Sequence, residues 1–231
     1  MTIRGNWPML YAFFGEEGGL RREAFVRQID VAVAVGAAGV AVLGLGTEVA
    51  KLSLGERRTV VGWVAAASAG RLPFAVTIAD GNVGDMIESA RHARDAGAAW
   101  LILQPPRPPV AEDELIRFFG AVADAVDIPV GIQNAPEFLG IGLSNAGLVA
   151  LNRAHPNVTV VKAESGAMAV GRLIDTLEGR MAVFNGRAGL ELTDNWRAGV
   201  DGMIPGIETI DRQVAIEALM RAGDEDAAGA L

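Results

Sequence analysis

The feature that most constrains this chain is a repeated alternation. Eight short apolar runs are each followed by a longer amphipathic stretch. The runs are 7–14, 39–44, 72–79, 98–104, 128–134, 158–164, 181–185 and 200–205. Helical patterning occupies 21–36, 53–69, 82–97, 112–127, 144–155, 167–178, 190–199 and 208–222. Several helices carry end signals: Ser53-Leu54-Gly55-Glu56 reads as a capping box, and Gly36, Gly70, Gly97 and Gly179 stand where helices should stop. Strands that are apolar throughout and separated by helices indicate a parallel sheet covered on both faces. Eight such units in 231 residues predict a closed (β/α)8 TIM barrel spanning 1–231 as a single domain. An open doubly wound sheet is the competing arrangement, but no G-x-G-x-x-G follows the first apolar run.

Composition narrows the function. The chain has no cysteine, which removes disulfides, zinc-thiolate sites and thiol nucleophiles. Its net charge is −8 with no basic stripe, so nucleic acid is not an expected partner. No apolar stretch has the length and purity of a membrane span, and the N-terminus has no signal-peptide pattern. Two histidines, His92 and His155, are too few for a metal cluster and fall in or near helices, so no metal is expected. These features predict a cytoplasmic enzyme acting on a small molecule.

Only two lysines occur, and Lys162 lies inside the apolar run Val158-Thr159-Val160-Val161-Lys162-Ala163-Glu164. An ammonium taken out of water loses several kcal/mol of solvation, and buried amines tend to shed their protons. A neutral, desolvated amine attacks carbonyls to give a Schiff base. Residues two apart on a strand share a face, so Glu164 points the same way as Lys162, one layer nearer the mouth of a barrel. There it can move protons at substrate atoms. The alternatives for Lys162 are a side chain that snorkels to solvent or a plain ion pair with Glu164.

Barrel chemistry sits at the C-terminal ends of strands. The second run leads into Gly44-Leu45-Gly46-Thr47-Glu48, a tight turn whose backbone N–H groups can hold a carboxylate. The fifth ends in Gln133-Asn134-Ala135-Pro136, bringing two amides beside the sixth. The seventh ends in Phe184-Asn185-Gly186-Arg187, where Arg187 offers a fork of donors to an anion. A structural loop role is an equal alternative for Asn134 and Arg187. The prolines of Gln104-Pro105-Pro106-Arg107-Pro108-Pro109 stiffen the rim.

In this order, these strand-end motifs resemble the dihydrodipicolinate synthase / N-acetylneuraminate lyase family of class I aldolase-type barrels. Gly44 to Glu48 with Leu52-Ser53 and Glu56-Arg57 is similar to the family's G-T-T-G-E, L-S and E-R pattern. Asn134-Ala135-Pro136 is similar to its Y-N-x-P, and Val161-Lys162 with Ser165-Gly166 to the strand bearing its imine lysine. The chain departs from the family pattern where Gln133 replaces the proton-transfer tyrosine, Leu45 and Gly46 replace the two threonines, and Pro105-Pro106-Arg107 replaces Pro-Tyr-Tyr. The only tyrosine is Tyr11. Runs such as Met9 to Phe14, Leu103 to Pro106, Ile132 to Glu137, Lys162-x-Glu164 and Phe184 to Arg187 resemble the 2-keto-3-deoxy-L-arabonate dehydratase branch.

The resemblance implies a lyase that dehydrates a 2-keto-3-deoxy sugar acid through an imine at Lys162, with Glu164 as acid and base and no metal or organic cofactor. It implies that Gly46 and Thr47 hold the C1 carboxylate. Gln133, Asn134 and Arg187, with Gly186 beside them, face the hydroxylated tail. A pyruvate-releasing aldolase, a true dihydrodipicolinate synthase and a keto-acid-binding protein without catalysis are the rivals. The family normally continues into further helices that shape its assembly, whereas 221–231 reads as the opening of such a helix; the family's C-terminal helical extension is thus expected to be missing, and homo-oligomerisation is left open.

Overall fold

The computed structural model describes residues 3–231. Eight parallel strands form one sheet: β1 (Gly5–Asn6), β2 (Val40–Val42), β3 (Phe74–Ile78), β4 (Trp100–Leu103), β5 (Val130–Asn134), β6 (Val158–Ala163), β7 (Ala182–Asn185) and β8 (Gly202–Met203). Neighbours in the chain are neighbours in the sheet, and β1 also pairs with β8. Closure between β1 and β2 comes from Met9, which bridges both Ala41 and Gly206. Ala41 N donates to Pro8 O at 2.9 Å and Leu10 N to Ala41 O at 2.8 Å. The result is the (β/α)8 barrel that the alternation predicts.

The first strand departs from its expected span of 7–14: ladder pairing covers only Gly5–Asn6, with an isolated bridge at Met9. Pro8 has no N–H to give to a ladder, and beyond Leu10 the chain leaves the sheet to build the rim. Elsewhere the boundaries fall within a few residues of the periodicity.

Helices fill the connections: α1 (Arg22–Ala34), α2 (Leu54–Ser68), α3 (Val83–Asp95), α4 (Glu112–Ala123), the short α5 (Pro136–Leu139), α6 (Asn145–Ala154), α7 (Ala167–Leu177), α8 (Leu192–Ala198), α9 (Ile210–Ala222) and α10 (Glu225–Ala230). At α2 the capping box is complete: the Ser53 hydroxyl accepts from Glu56 N, and the Glu56 carboxylate accepts from Ser53 N. Gly36, Gly70, Gly97 and Gly179 all take positive φ where helices end. Among the described residues no helix is long and apolar enough to cross a membrane.

Two cores result. The larger lies between strands and helices and contains Phe25, Ile29, Met86, Leu115 and Phe119, all essentially buried. The smaller fills the barrel itself with Ile3, Trp7, Met9, Trp100, Ile102, Val160 and Phe184. Trp7 meets Trp100 edge-on at 5.6 Å between centroids, and Trp100 meets Phe184 at 5.7 Å. Such aromatic pairs contribute about 0.5–1.5 kcal/mol each beyond area burial. Gly39 makes this plug fit, because a side chain there would run into the Trp7 ring. The aromatic plug is the floor on which the polar residues of β6 rest.

Candidate active site

Alternation along β6 divides its side chains. Val160 packs into the barrel interior, while Val161 and Ala163 join the outer core. Lys162 therefore points inward, one layer above Val160, and Glu164 one layer above that. Both are buried, at 4% and 6% exposure, and Lys162 Nζ meets Glu164 Oε1 at 2.5 Å. The lysine does not snorkel to solvent.

Behind this pair runs a buried amide relay. Gln133 Nε2 donates to Glu164 Oε1 at 2.9 Å, and Gln104 Nε2 donates to Gln133 Oε1 at 2.9 Å. The direction follows from chemistry: an ionised carboxylate only accepts, so Gln133 turns its amide nitrogen to Glu164 and offers its carbonyl to Gln104. Register places Gln133 on β5 directly beside Lys162 on β6. Thus Glu164 Oε1 receives an ammonium donor and an amide donor at once, the satisfaction that a buried carboxylate requires.

The pair forms one wall of a cavity of about 340 Å³ at the C-terminal mouth of the barrel. Its size suits a small-molecule ligand. Gly46, Gly186, Arg187 and Tyr11 also line it, under a rim of exposed Leu45, Phe138 and Leu190. Gly186 must be small: a Cβ there would lie 2.8 Å from Glu164 Oε1 and 3.0 Å from Lys162 Cε. Arg187 Nη1 is 3.2 Å from Glu191 Oε1, and its buried Nε has no protein partner. Arg187, Ala188 and Glu191 all hold positive φ, a concentration of left-handed backbone that loops rarely carry without a role.

Not every residue singled out from sequence reaches the cavity. Thr47 is fully buried and its hydroxyl donates to Leu10 O at 2.5 Å, tying the β2 loop to the end of the first strand segment. Asn134 spends its amide on Leu143, accepting from its N–H at 2.8 Å and donating to its carbonyl at 2.9 Å. Both side chains fasten loops rather than line the cavity. Gln133 sits behind Glu164 at 1% exposure, supporting the carboxylate instead of facing open space.

Two residues enter that sequence reading assigned no role. Gln104 completes the amide relay, and its only sequence signal was a polar side chain closing an apolar run. Tyr11 lines the cavity with its hydroxyl donating to Glu208 Oε2 at 2.5 Å. Burial first, then the hydrogen bond to Glu208 and its negative charge, push the Tyr11 pKa up to about 12. Among the described residues no cluster of three or more His, Cys, Asp or Glu side chains could hold a metal ion.

Comparison with known proteins follows the same lines. A sequence model of the dihydrodipicolinate synthetase family matches residues 2–231. The 4-hydroxy-tetrahydrodipicolinate synthase of Agrobacterium fabrum is 31% identical over 167 residues, 72% of this chain and 57% of that protein. YagE of Escherichia coli K12, provisionally named a 2-dehydro-3-deoxy-D-gluconate aldolase, is 29% identical over 230 residues, 98% of this chain and 76% of YagE. The crystal structure of YagE in complex with pyruvate superposes with a TM-score of 0.94 at 26% identity, covering 100% of this chain and 79% of that one. A sialic acid aldolase from Ruminococcus gnavus superposes with a TM-score of 0.91 at 25% identity, covering 97% of this chain and 76% of that one. The chain therefore spans only part of the length of these relatives.

Proposed function

Because this chain belongs to the dihydrodipicolinate synthetase family, we propose that it is a Schiff-base-forming lyase whose substrate is a 2-keto acid, and that the reaction is loss of water from a 2-keto-3-deoxy sugar acid of the L-arabonate type. The observation that carries this reading is the buried contact of Lys162 with Glu164 on the wall of the cavity. A strand lysine this deep gains little stability for the fold, since a well-packed apolar pair is as good or better. It gains a reactive amine.

In the proposed sequence Glu164 takes a proton from the ammonium, and the free amine of Lys162 adds to the C2 carbonyl. Loss of water gives a protonated imine, which draws electrons from C3. Glu164 then removes a C3 proton, forming an enamine. The enamine electrons expel the C4 hydroxyl, which leaves as water with the proton that Glu164 returns. Loss of a C5 proton and protonation at C3 then move the double bond to C4=C5, and hydrolysis of the imine restores Lys162 and releases an enol that ketonises to the semialdehyde. The imine supplies the activation, so no cofactor is required. Gln133 holds Glu164 within reach of both Lys162 and C3 throughout. Arg187, on the cavity wall, meets an anionic or hydroxyl group of the substrate in this reading.

Support for dehydration over carbon–carbon cleavage comes from Gln133. An amide cannot ionise, so it does not offer the proton transfer that a tyrosine at this position would give, and Glu164 is left as the proton carrier nearest Lys162. The likeness to YagE favours the second reading, a pyruvate-releasing aldolase. Product analysis separates them. With 2-keto-3-deoxy-L-arabonate the proposal expects 2-oxoglutarate semialdehyde from the native chain and nothing from Lys162→Ala. Pyruvate with glycolaldehyde would replace dehydration by aldol cleavage, and turnover by Lys162→Ala would remove the imine altogether.

A further inference from the structure

The cavity has a second polar feature that the chemistry at Lys162 leaves unused. Tyr11, the chain's only tyrosine, lines it from the end of the first strand segment, and Glu208 meets the Tyr11 hydroxyl from the one-turn helix Ile207–Thr209 after β8. The phenol donates to Glu208 Oε2 at 2.5 Å. Three features show that the placement is built. Gln28 on α1 clamps the Tyr11 backbone from both sides, accepting from its N–H at 2.7 Å and donating to its carbonyl at 3.0 Å. A Cβ on Gly46 would lie 3.1 Å from Tyr11 Cε1. A Cβ on Gly206 would collide with both the Tyr11 hydroxyl and the Glu208 carboxylate.

A tyrosine hydroxyl has one hydrogen to give. Here it is committed to Glu208, so what the oxygen has left for a ligand is a lone pair. With the carboxylate beside it, that spot attracts donors and repels anions. The phenol stays protonated through the neutral range, which keeps this polarity constant. The position around the mouth suits the far end of a substrate: β1, which leads to Tyr11, lies three strands from β6, roughly 14 Å along the barrel wall at the usual inter-strand spacing, with β8 and Glu208 between them.

Resting on the reading of Lys162 as the imine lysine, we propose that Tyr11 is a specificity-determining residue that accepts a hydrogen bond from a hydroxyl on the substrate's distal carbons, with Glu208 positioning its lone pair, so that the site takes 2-keto acids with a neutral hydroxylated tail and rejects those ending in a second carboxylate. Removal of the acceptor lowers affinity for a hydroxylated tail. It leaves untouched a ligand that has no tail.

The test uses Tyr11→Phe and Glu208→Gln beside the native chain, with two readouts and a thermal melt to verify folding. One readout is borohydride trapping of pyruvate, which has no hydroxylated tail; the other is KM and kcat for 2-keto-3-deoxy-L-arabonate. Tyr11→Phe should raise KM roughly ten-fold, the scale of one good hydrogen bond, with kcat changed far less and pyruvate trapping equal to that of the native chain. Glu208→Gln should give a smaller rise in KM and admit 2-oxoglutarate, trapped poorly by the native chain. Equal loss of pyruvate trapping and turnover in Tyr11→Phe would overturn the proposal by placing Tyr11 at the imine step, and an unchanged KM would overturn it by removing the contact. If the native chain traps no pyruvate at all, the imine reading fails first. A result of that kind is distinct from failure of the tail contact.

Discussion

Stability measurements on the Lys162–Glu164 pair should show strong non-additivity. Lys162→Met leaves the Glu164 carboxylate buried with only the Gln133 amide as partner, a situation that costs about 3–5 kcal/mol when one member of a buried pair is lost. Glu164→Gln leaves the ammonium facing a neutral amide and should fall toward the lower end of that range. The double substitution removes both charges and their desolvation together, while the new glutamine can still accept from Gln133. It should lie near the native stability or about 1–4 kcal/mol above it. The coupling between the two positions is then at least ~3 kcal/mol. Attraction of unit charges at the observed 2.5 Å, in an effective dielectric of about 20, is roughly 7 kcal/mol and so accommodates such a coupling. Urea unfolding followed by circular dichroism at neutral pH, with m unchanged across the set, reads the cycle. Single substitutions costing under about 1 kcal/mol and summing to the double would refute the reasoning, because both groups would then be solvated in the folded protein.

Further substitutions separate structural from chemical roles. Gly186→Ala pushes a methyl against Glu164 Oε1 and Lys162 Cε, so kcat/KM should fall on the order of 100-fold for a displacement of this kind while the melting temperature moves little; steady-state kinetics beside a thermal melt will show it, and full activity would mean the pair has room to move. Asn134→Ala deletes both hydrogen bonds to Leu143 and should destabilise by about 1–3 kcal/mol with KM unaltered. A raised KM at native stability would instead put Asn134 against the substrate. The single tyrosine gives a clean optical titration: phenolate absorbance should rise near pH 12, and Glu208→Gln should bring the midpoint down toward the ordinary value of about 10. Since the folded phenol holds its proton more tightly than the unfolded one, its contribution to stability is complete below about pH 10 and is lost as pH rises toward 12. A midpoint near 10 in the native chain would break the link between Tyr11 and Glu208.

Periodicity carried the fold because every βα unit buries its strand on both faces and its helix on one, and both signals are local. It misplaced the first strand, where Pro8 interrupts the ladder and residues past Leu10 serve the rim. Local pattern also put Lys162 and Glu164 on one face, since that follows from strand geometry alone. The remaining site was harder to read because its partners are remote: Tyr11 and Glu208 are 197 residues apart, and Gln104 meets Gln133 across 29. Thr47 and Asn134 had the right residue types at the right strand ends. Sequence position alone does not show that their polar groups close loops instead of opening to the cavity.

The most direct measurement is intact-mass spectrometry of the protein reduced with borohydride in the presence of pyruvate, with Lys162→Ala alongside. One reduced pyruvyl adduct per chain on the native protein, mapped to Lys162 and absent from the variant, is the expected result. An unmodified native chain, or an adduct that persists on the variant, would contradict imine chemistry at Lys162.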